Sequence, residues 1–517
     1  MTKDTYSSNA FSIVFHPVLL LCILIIYIYF KHSYKYWKSR GVPQLNPSFP
    51  FGDMADVIFR RQNMGDKIRD IYSYARQRGD KYVGLYFFSR KAFLPIDPVL
   101  IKNILTKDFN SFHDRGIYYD EKDDPLSAHL FSLAGPKWKN LRAKLTPAYS
   151  PKQLRGMFDI IMNCGLQMNE IIEETTNNGG PIEIKEILAR YTTDVIGSCA
   201  FGLECNTMRN PNAEFRRMGR RAFTQTVGDV LKMIVIRSFP PLAKTLGIGV
   251  FSKNVTDFFR RVVRETIEYR ESKNLNRNDF LQLLIQLKNN GRLEGSEEKP
   301  GTALTMDEAA AQAFIFFLAG FETTSTTSSF ALLEMAMNYG VQEKARKEIE
   351  NAMNRHGGVI NYEAIQEFTY LDMIVQETMR KYPPAPVFLR KCTESYKIPD
   401  TDIVLEKGLS VLIPAYGMHK DPEYFPNPDE FDPERFNEEN RAKIWDYTYI
   451  PFGDGPRLCI GMRFAMIQVK IALSLMLKNY TFRLNSRTKL PITMEKKGII
   501  LAPIGGIWID FTEINRS

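Results

Sequence analysis

The feature that most constrains the fold is a helical pattern longer than thirty residues, at 305–337. It begins with Thr305 and, three residues later, Glu308, which together form the capping box of a helix N-terminus. Apolar residues cover most of the circumference, so a helix about 50 Å long is expected to cross the core. Gly340 is expected to stop it. A glycine, an acid and a run of hydroxyls interrupt the apolar pattern at 319–329, AGFETTSTTSS.

The rest of the body is also mainly helical. Helical patterns dominate from residue 55 to about 380. Three stretches favour strands, at 81–88, 408–417 and 497–511, the last as a hairpin with Gly505 and Gly506 in its turn. The sequence therefore predicts one mainly α domain with small β-sheets, an α+β arrangement, over residues 55–517.

The N-terminus predicts a membrane anchor. Residues 11–30, FSIVFHPVLLLCILIIYIYF, carry no formal charge and are long enough to cross a hydrocarbon core of roughly 30 Å. A cleaved signal peptide is the alternative, but the Tyr/Lys/Trp-rich exit of the run argues against it. The basic residues after the run place the body in the cytosol and residues 1–10 in the lumen. Residues 31–54 form a basic, Pro-rich hinge, with Pro43, Pro47 and Pro50 stiffening the chain.

Charge and cysteine content narrow the class of protein. A net charge of +9 favours anionic surfaces such as lipid headgroups or an acidic protein partner. No basic tract is interleaved with aromatic residues and no Cys/His finger spacing occurs, so nucleic acid is not an expected partner. Six cysteines without a CxxC pair indicate free thiols in a reducing compartment.

Cys459 stands alone in PFGDGPRLCIGMRFA, at 451–465. Glycines and a proline surround it, and an apolar helical pattern follows, so the thiol lies just before a helix N-terminus that favours a thiolate. Such a residue can be a buried structural cysteine, a nucleophile or a metal ligand. A nucleophile needs a base, and no histidine lies within thirty residues. Zinc and iron–sulfur sites need several protein ligands, whereas a haem iron needs only one axial thiolate.

The loop resembles the haem-binding loop of the cytochrome P-450 superfamily, through the spacing of Phe452, Gly455, Arg457, Cys459 and Gly461. Other motifs follow in family order. The family's Glu-x-x-Arg segment is matched by ETMR at 377–380, and the segment that supplies its second arginine by DPERF at 432–436. The oxygen-activation segment resembles AGFETT at 319–324, and the propionate-binding segment resembles WKNLR at 138–142. The resemblance covers essentially the whole chain. YWKSRGVP and FHDRG are similar to insect microsomal members of the detoxifying type.

The resemblance implies a role for each motif residue. Cys459 would be the axial ligand of haem b, iron protoporphyrin IX, and the backbone around Phe452 and Gly461 would surround its sulfur. Five residues would grip the haem propionates: Arg457, Arg142, Trp138, Arg115 and Arg390. Glu377, Arg380 and Arg435 would form a buried cluster that braces the haem loop.

Glu322 and Thr323 would be the acid–alcohol pair of oxygen activation. Gly320 is expected to loosen the helix and to free a carbonyl for water or O₂. A proton relay toward the distal face is the expected role of the pair. The alternative is that Thr323 only donates back to its own helix.

The resemblance also implies the activity and its surroundings. We expect a monooxygenase of the endoplasmic reticulum membrane, facing the cytosol and fed by a separate NADPH-dependent P-450 reductase or a cytochrome b-type donor. Its substrates would be small lipophilic molecules, xenobiotic or endogenous, reaching the site through an apolar segment at 239–251 that dips into membrane lipid. Candidate pocket residues are Phe112, Phe316, Phe317, Phe321, Val387 and Ile504. A reductase-independent isomerase or dehydratase and a non-enzymatic haem sensor are the alternatives.

Overall fold

The computed structural model describes residues 4–223, 226–293, 302–498 and 500–514. Its α-helices up to residue 272 are α1 Asp4–Ser33, α2 Ala55–Ile58, α3 Met64–Gln77, α4 Pro98–Lys102, α5 Gly135–Leu145, α6 Pro151–Asn177, α7 Ile184–Phe201, α8 Glu214–Phe223, α9 Val227–Ser238, α10 Pro240–Thr245 and α11 Lys253–Ser272. The later helices are α12 Phe280–Asn290, α13 Met306–Met337, α14 Tyr339–Arg355, α15 Tyr362–Gln366, α16 Thr369–Lys381, α17 Ala415–His419, α18 Glu438–Arg441 and α19 Met462–Asn479.

The strands form small sheets at the edges of the helical body. They are β1 Tyr82–Phe87, β2 Arg90–Pro95, β3 Ile182–Glu183, β4 Phe388–Lys391, β5 Tyr396–Lys397, β6 Val404–Leu405, β7 Ser410–Ile413, β8 Tyr480–Leu484 and β9 Trp508–Glu513. One sheet has the order β1-β2-β7-β4, in which only the β2–β7 pair is parallel. A second sheet has the order β3-β9-β8, and β5 pairs with β6. The mainly α body with small sheets is as expected.

The central helix, α13, runs through the larger of two hydrophobic cores. Its N-terminus has the expected capping box, in which Thr305 Oγ1 accepts from Glu308 N at 3.1 Å and Glu308 Oε2 accepts from Thr305 N at 2.8 Å. The helix packs against α7, α11, α16 and α19. A Cβ on Gly320 would lie 2.7 Å from Ile196 Cδ1 of α7. Gly320 therefore lets two helices approach closely, and α13 stays continuous through it where loosening was expected.

Two local predictions are wrong. Gly340 does not stop α13. The helix ends at Met337, because the next residue, Asn338, has φ of −121° and ψ of 82°, outside the helical region, and Gly340 lies inside α14. The turn of the C-terminal hairpin is not at Gly505 and Gly506. Met494 pairs with Pro503, so the chain reverses between them. The two glycines form a left-handed bend that leads into β9, with φ of 84° and 78°.

The predicted anchor helix is joined tightly to the body. The helix α1 spans the predicted anchor, and the apolar side chains from Val18 to Tyr29 are about half exposed or more, as a lipid-facing helix requires. Just beyond it, Trp37 is fully buried in the second core, beneath the four-stranded sheet. Its indole Nε1 donates to Leu85 O at 3.2 Å, and its N–H donates to the Tyr86 hydroxyl at 3.1 Å. The segment predicted as a hinge is therefore pinned to β1 at Trp37.

Candidate active site

The loop before α19 is a tight turn built from main-chain contacts. Gly453 and Gly455 have φ of 73° and 69°, in the left-handed region that favours glycine. A Cβ on Gly455 would lie 2.0 Å from Leu105 O, so only glycine fits there. Cys459 N donates to Phe452 O at 3.0 Å and closes the turn. These contacts place the cysteine thiol at a fixed point immediately before the helix.

The combination of exposure and desolvation at the Cys459 thiol indicates that it lines an internal cavity. The side chain is exposed, yet burial by the surrounding protein raises the pKa of the thiol. Open space in front of a desolvated group is what a cavity wall provides. A hydrogen bond from the Gly461 N–H and the charges of Arg115 and Arg142 act in the opposite direction and lower this pKa. The described residues include no cluster of three or more His, Cys, Asp or Glu that could hold a metal ion, so this sulfur has no protein co-ligands there.

Four arginines surround this cavity with almost no carboxylate to balance them: Arg115, Arg142, Arg390 and Arg457. Burial lowers the pKa of each guanidinium, to about 9 for Arg457, to about 10 for Arg390 and well below its usual value for Arg115. Mutual repulsion adds to the effect at Arg115 and Arg457. Their nearest carboxylate is Asp114, 3.6 Å from Arg457. Four buried or partly buried cations with a single carboxylate beside them indicate an anionic ligand.

The arginines differ in how many donors remain free. Arg457, expected on a propionate, donates to the carbonyls of His113, Leu130 and Leu133 at 2.8–3.4 Å and stacks on the Trp138 ring at 3.7 Å. Its guanidinium therefore holds the 113–133 segment against the loop, and Trp138 supports it. The role of both residues toward a propionate stays a prediction.

The other three guanidiniums are more available. Arg390 has a buried Nε without a partner, and Arg142 makes no ion pair with any described residue. Arg115 donates to two carbonyls, those of Phe131 and Arg457. A cavity with one thiol and three underused guanidiniums fits a haem, which brings an iron and two carboxylates. Phe452 contributes its carbonyl to the turn and Gly461 its N–H to the sulfur.

The structure brings Glu377, Arg380 and Arg435 together in the core. Glu377 and Arg380 are fully buried and share two hydrogen bonds of 2.7 and 2.9 Å. Arg435 Nε lies 3.4 Å from Glu377 Oε1. Arg380 also donates to His419 O, and His419 Nε2 accepts from Ile450 N at 3.0 Å, one residue before the cysteine loop begins. The cluster therefore reaches the loop through a buried histidine.

Sequence reasoning missed His419 and Tyr149. Burial lowers the pKa of His419 to about 3, so this imidazole is a neutral acceptor. Tyr149 lies beside the loop, where a Cβ on Gly461 would be 3.9 Å from the tyrosine ring. Burial and the nearby Cys459 sulfur raise the pKa of the Tyr149 phenol. Neither residue belongs to a local pattern, so a single sequence carries no signal for them.

On α13, the acid and the alcohol have different partners. Thr323 Oγ1 donates to Ala319 O, one turn earlier, at 2.6 Å, which is the back-bonded geometry of the alternative interpretation. Glu322 Oε1 accepts from Lys185 Nζ of α7 at 2.7 Å. Lys185 was also missed by sequence reasoning. No described hydrogen bond joins Glu322 to Thr323, so the pair is not preassembled.

Most candidate pocket residues are packed in the cores. Phe112 is fully buried in the second core, with its ring 4.8 Å from that of Tyr396. Phe316 stacks on Phe280 at 4.6 Å, and Phe317 stacks on Phe321 at 5.4 Å. Val387 is half-buried and Ile504 is exposed. Their contact with a substrate stays a prediction.

Comparison with known proteins agrees with this geometry. Residues 50–509 match the family described as Cytochrome P450. The chain is 40% identical to "Cytochrome P450 6a2" of Drosophila melanogaster, over 96% of this chain and 99% of that protein. It is 39% identical to "Probable cytochrome P450 6a23" of the same species, over 98% and 100%. It is 38% identical to "Cytochrome P450 6k1" of Blattella germanica, over 96% of both chains.

Proposed function

Because the chain belongs to the cytochrome P450 family and is a P450 monooxygenase, we propose that it works as a membrane-anchored enzyme that takes electrons from a separate NADPH-dependent reductase and oxidises small lipophilic molecules. The observation that carries this proposal is the Cys459 thiol on a cavity wall, among buried arginines that lack counterions. That set of groups suits one ligand with an iron and two carboxylates.

Haem b is the proposed cofactor, and when bound it supplies the iron at which O₂ is reduced and one oxygen atom is made available to the substrate. Cys459 would ligate the iron through its sulfur. Arg115, Arg142 and Arg390 would hold the carboxylates by charge-assisted hydrogen bonds, which would also relieve the repulsion among the guanidiniums. Arg457 and Trp138 would keep the 113–133 segment in place.

The chain's own residues divide the chemistry between two faces. On the Cys459 side, the Gly461 N–H and the arginine charges stabilise the thiolate against the desolvation that raises its pKa. On the α13 side, Thr323 and Glu322 would hold and move protons. The Thr323 hydroxyl donates to Ala319 O and so presents an oxygen lone pair as an acceptor. Glu322 is the residue directly before Thr323 in the sequence and would resupply the proton.

The membrane location is supported by α1 and by a second apolar surface. Phe239, Leu242 and Leu246, on and beside α10, have 60%, 48% and 62% of their side chains exposed. Apolar side chains of this size are stabilised when they contact lipid. The anchor would lie in the endoplasmic reticulum membrane, with the body on the cytosolic face. Lipophilic substrates would reach the cavity from the lipid beside α10.

The electron donor would be an NADPH-dependent P450 reductase or a cytochrome b-type protein. Such donors offer acidic faces, and basic side chains on and after α5 are candidates to meet them: Lys137, Lys139, Lys144 and Lys152. Lys137 already pairs with Glu121 at 2.6 Å on the surface, so its charge is partly balanced.

The test is turnover in membranes that contain the full-length chain and a P450 reductase. A panel of lipophilic compounds is incubated with and without NADPH, and products are identified by mass spectrometry. We expect an NADPH-dependent product that is heavier than the substrate by one oxygen atom, or a dealkylated form of the substrate. Peroxide turnover that does not depend on NADPH would favour the isomerase or dehydratase. Haem binding without any turnover would favour a sensor.

A further inference from the structure

A polar cleft lies between α3 and the segment that follows the predicted anchor helix. It encloses about 470 Å³ and shares no residue with the cysteine loop or with α13. A space of this size holds a small organic ligand. The charged and aromatic side chains that line it are Asp53, Asp56, Lys67, Tyr74 and Arg78.

The cleft is next to the end of the predicted anchor helix. Ser48 and Gly52 line the cleft, and both contact Tyr34, whose hydroxyl donates to Ser48 O at 3.3 Å and accepts from Gly52 N at 3.1 Å. Between them, the Phe49 ring packs on that of Phe30 at 5.3 Å. Aromatic residues at the end of a membrane span lie at the level of the lipid headgroups. When α1 spans a membrane, the cleft is therefore close to these headgroups.

The wall of the cleft is fixed by main-chain contacts. Ser48 and Gly52 exchange two backbone hydrogen bonds of 2.7 and 2.9 Å, and Asp53 N donates to Tyr86 O at 2.8 Å. Gly52 has a φ of 67°, and a Cβ there would lie 2.3 Å from Tyr86 O, so only glycine fits. The cleft is thus formed before any ligand enters, and binding requires little ordering of the chain.

Asp53 is the buried acid of the cleft. It is only 8% exposed, and among the described residues only the Tyr86 N–H donates to its carboxylate, at 2.7 Å. Burial raises the pKa of this carboxyl to about 6, while the Lys67 charge lowers it, so the group is ionised at neutral pH. A buried carboxylate with one oxygen unpaired is completed by a cationic hydrogen-bond donor.

The cations of the cleft have donors to spare. Lys67 Nζ pairs with Asp56 at 2.8 Å, and Arg78 pairs with Asp80 at 2.9 Å. An ammonium has three donors and a guanidinium five, so each keeps donors beyond those its carboxylate uses. The Arg78 guanidinium also lies over the Tyr74 ring, 5.2 Å from its centroid. The cleft therefore offers a buried acceptor and two cations, which is complementary to a ligand that carries both an ammonium and a phosphate.

We propose that this cleft binds the phosphoethanolamine headgroup of a membrane phospholipid, with the ammonium on Asp53 and the phosphate on Lys67 and Arg78. This assignment rests on the membrane location proposed above. A choline headgroup has no N–H to give to Asp53, and a headgroup without an amine would leave that carboxylate unpaired. Because the cleft joins the end of α1 to α3, a bound headgroup would hold the body at a fixed tilt to the membrane.

The experiment uses the full-length, haem-loaded chain in a nonionic detergent. It is titrated with dihexanoyl phosphatidylethanolamine or dihexanoyl phosphatidylcholine, and binding is read as retained lipid in native mass spectrometry and as a rise in unfolding temperature. The two lipids have the same acyl chains, so a difference reports the headgroup. We expect the ethanolamine lipid to bind at least about tenfold more tightly, the effect of one charge-assisted hydrogen bond. Equal binding of the two lipids would overturn the proposal.

Two variants test the two ends of the headgroup. Asp53→Asn keeps an oxygen for the Tyr86 N–H but removes the charge, so binding of the ethanolamine lipid should fall to the level of the choline lipid. Arg78→Gln should weaken both lipids and leave the preference, since both carry the phosphate. Its side chain is 36% exposed, so this variant serves if Asp53→Asn folds poorly. A preference that survives Asp53→Asn, or binding of both lipids that is unchanged in Arg78→Gln, contradicts the assignment.

The matched control is Asp124→Asn. Asp124 is also buried, 2% exposed, and accepts from two backbone N–H groups, those of Val250 at 2.7 Å and Phe251 at 3.2 Å. Burial raises the pKa of its carboxyl to about 6 as well, but it does not line the cleft. The lipid preference should survive in this variant. Equal loss of the preference in Asp124→Asn and Asp53→Asn would reduce the effect to general destabilisation and overturn the proposal.

Glycerophosphoethanolamine, which has the headgroup without acyl chains, separates a lipid from a soluble ester. It should bind more weakly than the lipid, because acyl chains add apolar contacts beside α1. Equally tight binding would assign the cleft to a soluble phosphoester and overturn the lipid assignment. None of these measurements needs turnover, so a chain that yields no product removes the proposed oxidation and leaves the headgroup test intact. Extraction of membranes with alkaline carbonate tests the membrane location by itself.

Discussion

The Cys459 loop and the Glu322 face of α13 are the two parts of the predicted site, and different kinds of contact hold them. The loop is set by its own main chain, through two left-handed glycines and a hydrogen bond between residues seven apart, Cys459 and Phe452. The α13 face is set by a side-chain contact between residues 137 apart, Lys185 and Glu322. A backbone-defined site tolerates little change, whereas a side-chain-defined one can adjust. Substitutions on the two sides should therefore differ in how much stability they cost and in whether a second substitution can restore it.

The largest effect is expected from Cys459→Ala. The thiol faces a cavity and makes no core contact, so the chain should still fold, but the iron would lose its only protein ligand. Monooxygenase activity should disappear, and the reduced protein with carbon monoxide should lose its thiolate-type spectrum. Cys392→Ala removes a thiol in the second core. It should cost stability of about 1 kcal/mol and leave the spectrum unchanged.

Gly455→Ala tests whether the loop is held by its backbone. The substituted residue would carry a left-handed φ, which costs roughly 1–2 kcal/mol, and its Cβ would collide with Leu105 O, which cannot move away. We expect a loss of more than about 3 kcal/mol in unfolding free energy, or failure to take up haem. Gly79→Ala is the control, because Gly79 has a φ of 75° but open space around it. Similar losses in both variants, measured by chemical denaturation, would show that φ alone matters.

This difference also explains what could be read from the sequence. The glycine and arginine spacing around Cys459, and the capping box at Thr305, are local patterns, and both predicted their structures. Gly340 misled, because φ and ψ at Asn338 end the helix before the glycine is reached. Lys185 could not be found in advance, since a lysine in the first turn of a helix usually faces solvent. Its partner is set by how α7 crosses α13, which depends on packing of the whole domain.

Removal of an arginine from the cluster should stabilise the haem-free protein but weaken the binding of haem in the haem-bound protein. Arg390 is buried, its Nε has no partner, and it raises the electrostatic cost of Arg115 and Arg457. Arg390→Leu should therefore stabilise the haem-free protein by about 1 kcal/mol or more. In the haem-bound protein it should remove a charge-assisted bond worth roughly 1.5–3 kcal/mol, and haem loss should become about tenfold to a hundredfold faster.

Thermal unfolding of the haem-free protein measures the change in its stability. Transfer of haem to an acceptor protein measures the rate of haem loss. Arg346→Leu is the control, since Arg346 is equally buried but donates to the carbonyls of Leu477 and Tyr480. It should destabilise both states. Destabilisation of the haem-free protein by Arg390→Leu would mean that the cluster is balanced by contacts within the chain.

The smallest effect is expected on the α13 side, at Gly320. Alanine at this helical position gains roughly 1 kcal/mol of helix propensity, but its Cβ would lie 2.7 Å from Ile196 Cδ1. That atom ends a flexible side chain, so the overpacking cost of about 1–3 kcal/mol can be relieved, unlike the collision at Gly455. Gly320→Ala should lower stability by about 1 kcal/mol, and adding Ile196→Val, which deletes Cδ1, should restore much of it. A double-mutant cycle of unfolding free energies measures this coupling. A loss as large as that of Gly455→Ala, without rescue by Ile196→Val, would show that the α13 face is as rigid as the cysteine loop.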